Sequence, residues 1–133
     1  MLSVLAPSSP PLPGSNDNSV VLRLEHERVA MLLTGDIERE AEERLARRGA
    51  PLNCTVLKVA HHGSKTSTSP LFLRAANPRI AVISCGRYNS FGHPAPQTLG
   101  RLAERRVPIY RTDTQGAIEI FSNGRDCWVQ TFR

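Results

Sequence analysis

The stretch Cys54-Thr55-Val56-Leu57-Lys58-Val59-Ala60-His61-His62-Gly63-Ser64-Lys65-Thr66-Ser67 decides how this chain reads. Its first half, residues 54–60, is rich in β-branched side chains and Leu, the composition of a buried strand. Its second half is a polar string carrying two imidazoles, an ammonium and three hydroxyls. A buried strand that runs into a polar loop suits a layered α/β sheet, where ligands collect outside the carboxyl ends of the strands.

Working outward toward the N-terminus, residues 37–48 place Ile37, Ala41 and Leu45 on one helical face, with Glu and Arg elsewhere and Gly49 as a stop. Before that helix, residues 19–24 alternate apolar with polar, 25–28 read as a polar turn and 29–33 are almost wholly apolar. This pattern predicts a hairpin whose second strand is the more buried. Pro7, Pro10, Pro11 and Pro13 bar the segment before it from a central strand or helix, so residues 1–18 are assigned to a lead-in loop and 19–133 to one structural unit.

Toward the C-terminus, Ser69 and Pro70 start a short helix over 71–76 that Asn77 and Pro78 end. A strand over 79–84, a loop over 85–94, a helix over about 96–106 and a strand over 107–111 follow. Two last strands, 117–121 and 126–132, flank the turn signal Asn123-Gly124. The fold class expected is α/β, or α+β layered: a mixed sheet with outer helices and a C-terminal hairpin.

The 133 residues suffice for one modest core. Lys and Arg number 17 against 12 Asp and Glu, a net charge of +5 that favours an anionic partner without identifying it. Cys54, Cys85 and Cys127 are an odd set without CxxC spacing, which argues against a disulfide framework or a thiolate zinc site. No apolar run approaches the ~20 residues of a membrane span, and residues 1–5 are too brief for a signal peptide's apolar region, so the chain reads as soluble.

Asp36, the pair His61 and His62, and His93 each fall just past an apolar strand. Each has a structural explanation. Asp36 precedes an amphipathic helix and reads first as its N-cap. His pairs and turn histidines are often merely exposed, and His26 lies apart in the first hairpin's turn. As a group, one carboxylate and two or three imidazoles at neighbouring strand ends suit a divalent metal of the zinc or manganese kind. The convergence requires those strands to be parallel neighbours. Four residues are a thin shell for a two-metal site, and no HxHxDH run is present.

Thr34-Gly35-Asp36, then 57–67 around His61-His62-Gly63-Ser64-Lys65-Thr66-Ser67, then Gly92-His93-Pro94 resemble the later part of the metallo-β-lactamase-like domain of ComEC-type competence proteins. Residues 18–24 and Tyr110-Arg111-Thr112-Asp113 with Gly116 extend the likeness over about 16–121. The resemblance implies the second half of an αββα sandwich with metals in the cleft between sheets. It implies Asp36 as bridging carboxylate, His62 as the favoured ligand, His61 and His93 as catalytic or phosphate-contacting groups, and Ser64 and Lys65 as substrate contacts. It also implies a zinc- or manganese-dependent nuclease or phosphodiesterase acting on DNA, in a soluble domain of a bacterial cytoplasmic-membrane channel, on the extracytoplasmic side. The His-rich motif of the family's first half has no match here. The expectation is therefore weak or absent metal binding and activity for this part alone, with dependence on the first half and the channel segments, and self-association through an uncovered sheet. Two alternatives stand beside it: a small-molecule phosphodiesterase of the same superfamily, and a non-catalytic DNA-binding or assembly module.

Overall fold

Alternation along residues 29–33 divides the molecule into two faces. Ala30 and Leu32 enter the main core, whereas Met31 and Leu33 turn to the opposite side and stay half-buried. The computed structural model describes residues 1–133. Strands β1 (Leu2–Ala6), β2 (Val21–His26), β3 (Val29–Leu33), β4 (Val56–Lys58), β5 (Ile80–Ile83) and β6 (Ile109–Arg111) form one sheet in that order. β1, β2 and β3 pair antiparallel, and β3 through β6 pair parallel. β7 (Ala117–Ser122) and β8 (Cys127–Phe132) make a separate hairpin around the Asn123-Gly124 turn. The expected α/β layered class, with a mixed sheet and a closing hairpin, is what the structure has.

Helices α1 (Arg39–Arg47), α2 (Pro70–Ala76) and α3 (Pro96–Glu104) supply the helical layer, and a four-residue helix, α4 (Thr112–Gln115), joins β6 to β7. Ala41 and Leu45 on α1 and Ile37 two residues before it are all buried, so the four-residue spacing read from the sequence seals α1 and the turn leading into it onto the sheet. They meet Leu32, Leu57 and Ile83 from the strands and Phe72, Leu73 and Leu102 from α2 and α3 in a single cluster. Burying one such aliphatic or aromatic side chain is worth about 1.5–3 kcal/mol.

The start of the chain departs from the lead-in loop. Leu2–Ala6 is an edge strand paired with β2, and the prolines begin only at Pro7, where the strand stops. Beyond it, Asn18 holds the turn by accepting from the Leu12 amide at 2.9 Å and donating to the Leu12 and Gly14 carbonyls at 2.8 Å.

The second sheet face is also apolar. Register aligns Leu22, Leu33, Lys58, Val82 and Tyr110 in one row and Leu24, Met31, Val56 and Ile80 in another. Val56 is fully buried there, yet Leu2, Val4 and Leu24 at the β1 side are exposed. No helix is long and apolar enough to cross a membrane.

Candidate metal and phosphate site at the strand ends

Parallel pairing of β3, β4 and β5 carries three loops off the same sheet edge: 34–38, 59–67 and 84–94. The convergence that the sequence left conditional is therefore present. Backbone bonds lock the loops together. The His61 amide donates to Gly35 O at 3.0 Å, the Val59 amide to Val82 O at 2.8 Å, and the Ala95 amide to Gly63 O at 2.9 Å. The Thr34 hydroxyl adds a bond to Lys58 O at 2.6 Å.

His61 and His62 both adopt left-handed backbone, with φ of 49° and 55°, and Gly63 follows at φ 83°. Only glycine does this freely; a non-glycine residue held there costs about 1–3 kcal/mol. Two adjacent histidines in that region mean that the surrounding bonds hold a tight turn against local preference, projecting both rings from the strand end. Gly63 cannot be replaced without displacement, because a Cβ would lie 2.7 Å from Pro94 Cβ. Gly35 is similarly confined, at φ 55° with Ser19 Cβ 2.9 Å from a would-be Cβ.

His62 is the best-oriented of the rings. Its Nδ1 lies 2.7 Å from Ser84 O, a contact in which Nδ1–H donates, so that in the neutral ring the lone pair is on Nε2. Nε2 lies 3.6 Å from Asp36 Oδ1, and both side chains are partly exposed. His61 Nδ1 comes within 3.2 Å of Glu38 Oε1, close enough for an ion pair but off-axis for a hydrogen bond. Glu38 in turn accepts from the Thr66 hydroxyl at 2.8 Å.

The His93 ring stands edge-on to His61 with centroids 5.7 Å apart, and its Nδ1 is buried without a partner. Burial, helped by the neighbouring His61 and His62, pulls its pKa below the usual imidazole value. Asn89 fixes this loop by accepting from the His93 amide at 2.8 Å and donating to His93 O at 2.7 Å. Phe91 stacks on His93, and with His62, Cys85, Gly86 and Asn89 these residues line a pocket of about 200 Å³.

Asp36, His61, His62 and His93 are thus brought together. Of the residues singled out from the sequence, His62 and His93 line the pocket, and Asp36, His61, Ser64 and Lys65 do not. The Ser64 hydroxyl is buried and bonded to the Thr66 hydroxyl at 2.9 Å, and Lys65 is exposed on the side of Glu38, Arg39 and Glu40. Asp36 does not cap α1, correcting the local reading. The helix begins at Arg39, and Asp17 from the preceding turn accepts from the amides of Glu38 at 2.7 Å and Ala41 at 3.3 Å. Pairing of Asp17 with a helix more than twenty positions later carries no local sequence signal. Glu38 and Lys58 were also missed. Lys58 sits at the end of β4, where burial lowers its pKa and the charge of Asp36 opposes that shift.

Asp36 Oδ1 and His62 Nε2 lie 3.6 Å apart. Ligands about 2.0–2.1 Å from one tetrahedral ion lie about 3.4 Å apart, close to the separation found here. No group of three or more His, Cys, Asp or Glu side chains is placed to hold an ion. These residues therefore fit half of a coordination sphere and do not complete one.

No protein-family model matches the chain. Among curated proteins it is 37% identical over 116 residues to ComE operon protein 3 of Bacillus subtilis, covering 87% of this chain. It is 40% identical over 111 residues to Competence protein ComA of Neisseria gonorrhoeae, covering 83% of this chain. To Recombination protein 2 of Haemophilus influenzae it is 33% identical over 117 residues, covering 88%. The chain spans only 15–16% of the length of these relatives. At this identity over most of its length, the chain belongs with the ComEC-type competence proteins, as the counterpart of one segment of them.

Proposed function

We propose that this chain forms one wall of a metal-dependent phosphodiesterase site, of metallo-β-lactamase type, in a DNA-uptake protein. The observation that carries the proposal is the facing pair at the sheet edge. His62 Nε2 lies 3.6 Å from Asp36 Oδ1 while the other ring nitrogen is tied to a backbone carbonyl. A carbonyl behind an imidazole fixes its tautomer and direction, the arrangement that metal-ligating histidines use.

Asp36 and His62 would hold a divalent ion, zinc or manganese, with the remaining donors supplied from outside this chain. Such an ion, when bound, supplies a low-pKa water and neutralises charge on a phosphodiester. The chain's own residues do the rest. His61, with Glu38 3.2 Å from its Nδ1, and His93, edge-on to the His61 ring, would be the groups that pass a proton to or from a bound phosphate ester. Burial, with His61 and His62 beside it, lowers the pKa of His93 and so makes it a weaker proton acceptor and a readier donor when protonated than an ordinary imidazole.

The donor count keeps one other reading in play, a DNA-binding module without catalysis. Cleavage of single-stranded DNA by the full-length parent protein in Mn²⁺ separates them. Asp36→Ala and His62→Ala should each lower the rate by about 100-fold or more, since losing even an outer-shell partner of a metal ligand costs about 10–100-fold. Unchanged cleavage in both variants would overturn the assignment.

A further inference from the structure

One peptide group beside the strand-end cleft is gripped from both edges. The plane joining Ser84 to Cys85 lies just past β5, with a carbonyl on one edge and an N–H on the other. Ser84 O accepts from His62 Nδ1–H at 2.7 Å, and the Cys85 N–H donates to the Thr112 hydroxyl oxygen at 2.9 Å. The same hydroxyl donates its own proton to Cys85 O at 2.9 Å. Cys85 lies outside the β5–β6 ladder, so this one side chain serves both of its backbone groups in place of a neighbouring strand.

Thr112 is itself held in place. It opens α4 directly after β6, between Arg111 and Asp113, whose side chains pair as a fork with Nε–Oδ1 at 3.0 Å and Nη2–Oδ2 at 2.6 Å. The Arg111 amide donates to Gln115 Oε1 at 2.7 Å, and Asp113 O accepts from Arg87 Nε at 3.3 Å. None of residues 110–113 lines the pocket beside His62 and His93.

We propose that Thr112 is a positioning residue for His62, acting through the Ser84–Cys85 peptide group. The hydroxyl fixes the peptide plane, the plane fixes the direction of Ser84 O, and that oxygen holds the ring in its Nδ1–H form, with Nε2 3.6 Å from Asp36 Oδ1. Hydrogen bonds at the two ends of one amide polarise each other, so loss of the Thr112 bond weakens the bond to His62 as well. The effect on His62 follows from this geometry alone, whereas an effect on a bound ion rests on the reading of His62 as a ligand.

Ring nitrogen chemical shifts of the isotope-labelled, metal-free chain at about pH 8, above the ordinary imidazole pKa of about 6.5, report which His62 nitrogen carries the proton. Wild type and T112S should show the Nδ1–H form. T112V keeps the shape, loses the hydroxyl and should show a mixture of the two neutral forms. In wild type the Cys85 amide should exchange slowly with solvent although it lies beyond β5. Where Mn²⁺ binds, T112V should weaken it by about 10–100-fold and T112S should restore it. His62 wholly in the Nδ1–H form in a folded T112V would overturn the assignment, as would T112S as mixed as T112V. A wild-type Cys85 amide exchanging at the rate of an unprotected one would overturn it whether or not T112V folds. The shift and exchange measurements need no ion, so they decide the role of Thr112 separately from that of Asp36 and His62 as ligands.

Discussion

Gly63 is the residue on which the cleft's geometry turns. It follows two histidines already in left-handed backbone, and it packs its α-carbon against Pro94, next to His93. Adding one methyl there both strains φ and pushes the loops apart. Gly63→Ala should lower stability by about 1–3 kcal/mol in chemical denaturation. It should also weaken the coupling between the His61 and His93 ring resonances. A variant as stable as the parent would mean the loops are not in contact as described. At this scale the sequence picked out the residues that the strand ends bring together, since the histidines and Asp36 stand out by type and by position after strands. It did not show the left-handed turn, because nothing in the types of His61 and His62 favours that conformation.

Elements are joined here by buried carboxylates. Asp17 holds the start of α1, so Asp17→Ala should cost about 0.5–2 kcal/mol, the range for a lost helix cap, whereas Asp36→Ala should leave α1 as stable as before. Equal losses in the two would return the cap to Asp36. Glu42, fully buried on α1, accepts from the Ser69 amide at 2.8 Å and from the Thr68 amide at the head of α2. Burial pushes its carboxyl from 4.5 up to about 7, against the pull of those amides.

A carboxyl whose pKa rises on folding gives its full contribution below pH 4.5, and that contribution is lost as pH climbs through about 7. The loss is of the order of 3 kcal/mol. Denaturation across that window should show wild type losing stability relative to Glu42→Gln as pH rises. A difference between them that stays constant with pH would contradict the burial of a titrating carboxyl. Helix stripes and the hairpin turn were legible because each is set by neighbours three or four positions away. Asp17 and Glu42 were not, because their partners lie 21–27 positions along the chain.

For the whole molecule, parallel strand order brings scattered motifs to neighbouring strand ends. The repeated strand–loop–helix pattern was legible, but the order β3-β4-β5 had to be assumed, since periodicity does not reveal which strands adjoin. The start of the chain was misassigned for a related reason: Leu2–Ala6 gains its strand character from pairing with β2, and the prolines that follow masked it. The sheet is apolar on both faces while helices α1, α2 and α3 pack on one, in keeping with a segment that makes up 15–16% of its relatives.

A metal site at the strand ends requires Asp36 and His62 to share an ion. Paramagnetic Mn²⁺, added substoichiometrically to the isotope-labelled chain, reports even weak binding by broadening nearby NMR signals. Broadening should begin at Gly35, Asp36, His61 and the His62 ring, with His62 in its Nδ1–H form, and should vanish in Asp36→Ala. Broadening centred instead on the Glu38–Glu40 turn, or none selective for the strand ends, would contradict it.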